Sequence, residues 1–251
     1  MKKYVVRTDM EGASGIVSYE QAEPGSREYA EGRRYFMSDL RALVYGLRDG
    51  GADEILLYDE HYYGRNIELD DLPACVHVFA GKSPYQKDWA GGLTRDCTGL
   101  ILLGFHAKAG SSGCLLNHSY SLDICDIEIN GRSVGEIGNE AAIAGELGVP
   151  LVMMTGDSAG VREAEMLVPG VAAVPVKESL SEFGALCRPV NETQKEIYAM
   201  ARAVASQGSR AVPFCIPGPI TMKIHRTGKE TVICRGDTVL ECWAQYLKEY
   251  A

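Results

Sequence analysis

The sequence predicts a three-layer α/β domain on a mainly parallel sheet, followed by a smaller C-terminal α+β lobe. Three observations carry this. Strand-like and helix-like segments alternate through the first two-thirds of the chain, the pattern of successive βα units. The stretch "TGLILLGFH" is an unbroken apolar run, as expected of a central parallel strand covered on both faces. The last third reads instead as helix, two strands and helix. We therefore expect one unit over residues 1–185 and a lobe or sheet extension over residues 186–251.

The elements follow in order. "KYVVRT" reads as a strand. "SREYAEGRRYFMSDLRALVYGLRDGG" reads as a long helix, with Phe36, Leu40, Leu43, Val44 and Leu47 at helical spacing and Gly50-Gly51 as a stop. "DEILLYD" is a short strand, "CVHVFAG" another, and "TGLILLGFH" the buried one. "SLDICDIEINGRSVGE" reads as two strands joined at Asn130-Gly131, a strong hairpin signal. "NEAAIAGELG" is a helix ending at Gly148, "VPLVMMTGD" a buried strand and "SAGVREAEMLVPG" a short helix. Asn191 with Gln194 resembles a capping box for a helix over residues 192–207. "PGPITMKIHRTG" and "KETVICRG" read as strands, and Asp237 as the cap of a final helix containing Leu240, Trp243 and Leu247.

Composition narrows the function. The chain has 251 residues, enough to bury a large core without staples. Its net charge of −9 argues against nucleic acid or an anionic membrane as partner. No segment approaches the roughly 18 apolar residues that span a bilayer. The apolar run after Lys2-Lys3 stops at Arg7 and Asp9, too short for a signal peptide. A cytoplasmic protein is expected. The eight cysteines include no C-x-x-C pair, so we read them as scattered reduced thiols in or near the core.

Chemistry collects at the strand ends. After "YVVRT" come Asp9 and Glu11, then Gly12 and Gly15. After "EILLY" come Asp59, Glu60 and His61, after "LILLGF" comes His106, and after the hairpin comes Glu136. In open α/β sheets, ligands bind beyond the carboxyl ends of the strands. Asp9 and Glu11, two apart on extended chain, can reach one crevice together. Each residue alone is an ordinary turn or surface residue. The recurrence of Asp, Glu, His, His and Glu suits two divalent ions of the zinc, manganese or cobalt kind, although no H-E-x-x-H motif is present. His118, in "NHSYS", is a candidate acid, base or oxyanion donor. Cys114 beside these histidines leaves open thiolate acyl transfer. Asp157 reads as a turn or cap residue, Asp123, Asp126 and Glu128 as the polar face of a strand, and Glu163 and Glu165 as a solvated helix face.

"RTDMEGASG" resembles the S-x-D-x-E-G signature of the DppA-type D-aminopeptidases, the M55 metallopeptidases. The similarity continues in order through "YDEHYYGRN", "GFHAKAG", "NHSYS" and "INGRSVGEIGNEA". It covers residues 1–185 well and the remainder weakly, and it departs at Arg7, where the signature usually has Ser. The resemblance implies zinc ligands at Asp9, Glu11, His61, His106 and Glu136, with two ions per subunit. Asp9 would bridge them, Glu11 and His106 completing one site and His61 and Glu136 the other. His118 matches the family's additional catalytic histidine. The resemblance also implies a homodecamer of two stacked pentamers and hydrolysis of short peptides or amino-acid amides, with D-residue preference. A non-peptide amide substrate, or a non-catalytic metal or ligand carrier, are the rival readings.

Overall fold

The apolar run Gly99–Phe105 lies at the centre of the molecule, every residue of it buried. In the computed structural model, which describes residues 1–250, it is the fourth strand of the chain. The elements are β1 (Lys3–Thr8), α1 (Tyr19–Ala22), α2 (Tyr29–Asp49), β2 (Glu54–Asp59), β3 (Val76–Phe79), β4 (Gly99–Phe105), β5 (Ile124–Ile129) and β6 (Arg132–Val134). There follow α3 (Glu136–Glu146), β7 (Leu151–Asp157), α4 (Ser158–Leu167), β8 (Ala172–Ser181), β9 (Gly184–Cys187), α5 (Val190–Gln207), β10 (Ile220–Arg226), β11 (Val232–Gly236) and α6 (Val239–Tyr250).

Seven strands form one sheet in the order β3-β2-β1-β4-β7-β8-β9, all parallel except the last pair. Alternate side chains feed opposite layers, as pleating requires. Tyr4, Val6, Ile101 and Leu103 pack under α2 and α5, whereas Val5, Leu100, Leu102 and Phe105 pack toward α3 and a second sheet. That sheet is antiparallel, in the order β11-β10-β5-β6, and α6 lies against it. It draws strands from residues 124–134 as well as from the C-terminal part. The expected α/β class with a mainly parallel sheet is what the chain adopts.

Several local expectations are corrected. The strands β8 and β9 were not anticipated. Helix α5 starts after Pro189 without a side-chain cap, so Asn191 and Gln194 lie inside the helix and form no capping box. At α6 the Thr238 hydroxyl accepts from Glu241 N (3.0 Å), while Glu241 reaches back to Asp237 N (2.9 Å). Thr238, rather than Asp237, is the residue whose side chain caps the helix. All eight cysteines are free, and among the described residues no helix is long and apolar enough to cross a membrane.

Candidate metal centre

Strand order reverses at β1 and β4, which lie side by side, and this is where an open sheet offers a crevice at its carboxyl edge. Register aligns Thr8 with Asp59 on one side and with Leu103 on the other. The residues that follow therefore converge. Asp9 and Glu11 come from the turn after β1, His61 from the loop after β2, His106 from the end of β4, and Glu136 from the first turn of α3.

Close backbone contact holds the turn in place. Gly12 N donates to Gly104 O (2.7 Å) and Asp9 N to Leu103 O (2.9 Å). A Cβ on Gly12 would stand 1.8 Å from Phe105 O, so only glycine fits there. Gly15, the other glycine of the turn, has φ +72° and lies against the Tyr35 ring.

Asp9 sits between two imidazoles. Its Oδ1 is 2.9 Å from His61 Nδ1 and its Oδ2 is 3.2 Å from His106 Nε2. Glu11 Oε2 is 3.1 Å from the same His61 nitrogen. Glu136 Oε1 is 3.6 Å from His106 Nε2 and 3.9 Å from His118 Nε2. The two clusters are thus Asp9–Glu11–His61 and His106–His118–Glu136. Among the side chains alone, Glu11 lies beside His61 and Glu136 beside His106, because the β2 loop returns beside the β1 turn and α3 begins beyond the end of β4; Asp9 reaches both histidines.

Backbone carbonyls fix the orientation of each ring. His61 Nε2 is 2.7 Å from Ala22 O, His106 Nδ1 is 2.9 Å from Ala107 O, and His118 Nδ1 is 2.9 Å from Leu116 O. A carbonyl can only accept, so each of these nitrogens carries the proton. The opposite nitrogen faces the carboxylates and, on giving up its proton, offers a lone pair to a cation among them, the arrangement typical of histidine ligands. Asp9 Oδ2, Glu11 Oε2 and His106 Nε2 are buried without a hydrogen bond. Buried charged and polar groups left unpaired are costly, and a cation among them resolves the mismatch. Three carboxylates and two or three imidazoles are a donor set that fits zinc.

The electrostatics agree. Desolvation acts to raise Asp9, but the imidazoles of His106 and His61 hold it well below the usual carboxylate range. Desolvation acts to lower His106, but Glu136, Asp9 and Glu11 outweigh it and hold it at about 10. His61 is raised in the same way, against its own desolvation, by Glu11 and Asp9. Desolvation pushes Glu136 up. The carboxylates pull positive charge onto the rings, which is the demand a metal ion meets.

A cavity of about 380 Å³ opens onto these groups, with Asp9, Glu11, His61, His118 and Glu136 on its walls. His118 stacks face to face on His106, centroids 4.1 Å apart. It is the more exposed of the two, at 13 % against 1 %. His106 therefore stands behind it.

Comparison with known proteins decides the family. The family model that matches the chain, over residues 1–233, is that of peptidase M55, described as D-aminopeptidase. The chain belongs to the M55 D-aminopeptidases. It is an enzyme, a peptidase of the D-aminopeptidase type. A D-aminopeptidase of Bacillus subtilis strain 168 is 31 % identical over 188 residues, which cover 74 % of this chain and 67 % of the relative. The solved structure of the Zn-dependent D-aminopeptidase DppA from Bacillus subtilis, a self-compartmentalizing protease, superposes with a TM-score of 0.89. The identity is 25 %, and the match covers 98 % of this chain and 96 % of that one.

Other residues of this M55 chain shape the centre, and among them Asn66 and Lys177 carry no signal of their own in the sequence. Asp59 accepts from Asn66 N (2.7 Å), Asn66 Nδ2 (2.9 Å) and His61 N (3.2 Å), and Asn66 Nδ2 also donates to His61 O (2.8 Å). This clamp closes the loop that presents His61; the Asp and Asn at the two ends of "DEHYYGRN" were its only signal. Lys177, buried on β8, donates to Glu11 O (2.6 Å), Ala13 O (2.8 Å) and Ile16 O. Its burial follows from a register irregularity between Gly156 and Asp157, which simple alternation does not foresee. Glu163, expected on a solvated face, is buried and accepts from Lys108 N (3.0 Å). Asp157 caps α4, accepting from Gly160 N and Ala159 N. Burial raises the Cys114 thiol, with Asp157 adding to the rise, the opposite of what a thiolate nucleophile needs.

Proposed function

We propose that this chain is a dinuclear zinc aminopeptidase that removes the N-terminal residue, of D configuration, from short peptides or amino-acid amides. One observation carries the reading: the Asp9 carboxylate turns one oxygen to each of two imidazoles, each ring held from behind by a backbone carbonyl. A carboxylate so placed suits a bridge between two ions. Asp9, Glu11 and His61 would hold one ion, and Asp9, His106 and Glu136 the other. Zinc, when bound, supplies an acidified water and a Lewis acid for the scissile carbonyl. The zinc dependence stated for the Bacillus structure supports this metal. The D preference rests on the names of the family and of its Bacillus members.

The chain's own groups supply the rest. Glu136 is kept in place by Tyr120 N, which donates to its Oε1 (2.5 Å). His118 faces the cavity with Nε2 free of the backbone. It is placed to donate to the oxyanion or to protonate the leaving amine. The self-compartmentalizing character stated for the Bacillus structure supports a closed homo-oligomer, for which we propose a decamer of two stacked pentamers with the sites facing inward.

A metal-stripped sample assayed on paired D- and L-aminoacyl amides and dipeptides, with and without added zinc, tests the reading. Activity is expected to return with zinc, on D substrates, at two zinc ions per chain by elemental analysis. The variant Asp9→Ala is expected to lose both zinc and activity. Full activity after stripping refutes the metal reading, one zinc per chain refutes the dinuclear one, and faster cleavage of L substrates refutes the stereochemistry.

A further inference from the structure

A second cavity, of about 580 Å³, lies beside the metal centre. The two share walls, since Glu60, Lys82, Tyr120 and Ser121 line both. The walls of the second are aromatic rings from four parts of the chain. Tyr120 packs at a tilt against Trp243 (4.4 Å between centroids), Trp243 stacks on Tyr246 (5.1 Å), and Tyr58 packs against Tyr85 (5.7 Å). The polar ends of these walls are already engaged. Tyr85 OH donates to Glu60 Oε1 (2.5 Å) and lies 3.0 Å from Glu140 Oε2. Tyr120 OH donates to Glu140 Oε1 (2.9 Å), and Tyr58 OH donates to Ser83 O. Arg226 is paired with Asp123 through Nε (2.9 Å) and Nη2 (2.7 Å). The cavity therefore offers ring faces and edges, which reward a large apolar or aromatic occupant.

Charge discriminates further. Ring faces also attract cations, but Lys82 and Arg226 stand on the same walls. The nearby Glu60 carboxylate engages Tyr85 and Arg7, whose Nε is 3.6 Å away, through one oxygen, Oε1. A cationic occupant meets Lys82 and Arg226 on these walls against that single, partly engaged carboxylate. Lys82 Nζ makes one bond, to Glu60 O (2.6 Å), and keeps two N–H donors at the junction of the cavities. A carboxylate at the junction with an apolar side chain beyond it describes one chemical object: the C-terminal residue of a dipeptide.

We propose that the second cavity receives the C-terminal residue of a dipeptide substrate, with its aromatic or large branched side chain among Tyr58, Tyr120 and Trp243 and its free carboxylate on Lys82. The inference rests on the aminopeptidase reading and gives that reading a substrate class. Hydrolysis breaks the single peptide bond: the first residue takes the hydroxyl of water, and the residue in this cavity leaves with the proton as a free amino acid. Dipeptides ending in a bulky apolar residue are thus preferred over amino-acid amides and over chains continued past that residue.

The test is a kcat/KM series on D-Ala-X dipeptides, with X as Gly, Ala, Leu or Phe in both configurations, each as free acid and as C-terminal amide. The zinc-loaded wild type, Lys82→Met and Leu247→Trp are compared. The wild-type value is expected to rise at least tenfold from Gly to Phe and to fall about tenfold on amidation. Lys82→Met, at an exposed position, erases the acid–amide difference, and Leu247→Trp, which fills the cavity, erases the Gly-to-Phe rise. A flat series with measurable turnover, or an acid–amide difference untouched by Lys82→Met, overturns the inference and leaves the aminopeptidase reading standing. Absence of turnover on every substrate overturns the aminopeptidase reading itself. Calorimetric titration with free D- and L-phenylalanine then decides the cavity: binding weakened at least tenfold in Lys82→Met supports it, and equal or absent binding overturns it.

Discussion

Asp39 is a buried acid outside the metal centre that touches the loop building it, as Lys177 does from β8. It lies on α2 with no exposure. Oδ2 accepts from Ser14 N (2.8 Å), and Oδ1 has no hydrogen bond. Burial dominates and raises its pKa from 3.8 to about 6, although the Ser14 hydrogen bonds and the Lys177 ammonium work in the other direction. Between those values the folded chain binds more protons than the unfolded chain. Stability from this group is therefore complete below the unfolded value and is lost as pH rises through the folded one. At about 1.36 kcal/mol per pH unit, the rise corresponds to roughly 3 kcal/mol of cost at pH 7. Asp39→Asn keeps an oxygen for Ser14 N–H and carries no charge, so it is expected to stabilise the protein at pH 7 by about 1–3 kcal/mol. The gain shrinks toward zero near pH 4. Urea unfolding of both proteins from pH 4 to pH 8, at one chain concentration because assembly contributes to stability, measures it. The pairwise difference cancels the other carboxylates. A variant no more stable than wild type at pH 7, or a gain independent of pH, refutes the reasoning.

Three further outcomes are expected. Gly12→Ala drives a Cβ to within 1.8 Å of Phe105 O; it should lower stability by about 3 kcal/mol or more and reduce zinc content, seen in thermal melts and elemental analysis. Lys177→Met leaves three buried carbonyls without their donor. A loss of about 3 kcal/mol or more follows, with weaker zinc binding in a competition titration. His118→Ala should cut kcat by about 10²–10⁴-fold at unchanged zinc per chain; loss of a zinc ion from this variant would mark His118 as a ligand.

How far the sequence reveals the site depends on how each residue is held. Asp9, His61 and His106 follow apolar strands directly, so the strand pattern alone brings them to one edge of one sheet, and the structure does so. Glu136 opens a helix after a hairpin, and its convergence needs the second sheet to dock, which no local pattern states. The partners that stiffen the centre are less legible still. Ala22 O, Ala107 O and Leu116 O are backbone groups and leave no trace in residue identity. Lys177 is brought inward by a strand irregularity. Strand β8 carries Pro175, Lys177 and Glu178 within a mixed burial pattern, and a reading by period passes over it. At α5 the helix begins after Pro189 with no side-chain cap, and at α6 Asp237 and Thr238 stand side by side as candidates that only geometry separates.

Arg7 shows how a single departure from a signature can be accommodated without loss of the metal groups. Its side chain is fully buried, where a lone guanidinium would be costly. The chain gives the two terminal nitrogens carbonyl acceptors and leaves Nε, without a hydrogen bond, beside two carboxylates. Nη1 donates to Gly91 O (3.0 Å) and Nη2 to Ala90 O, Nε lies 3.5 Å from Glu140 and 3.6 Å from Glu60, and the plane rests on the Tyr58 and Tyr85 rings. Gly91, at φ +53°, admits it, for a Cβ there would stand 2.1 Å from Nη1. One cation among two carboxylates leaves an excess of negative charge. Burial and Glu60 push Glu140 up to about 7, and the hydroxyls of Tyr85 and Tyr120 satisfy the remaining oxygens. The same Tyr120 gives its N–H to Glu136 and its ring to the aromatic cavity. Arg7 therefore holds the loop over residues 84–97 at Ala90 and Gly91 and rests on Tyr58 and Tyr85, two walls of the second cavity, so the departure from the signature is absorbed by that loop and those walls.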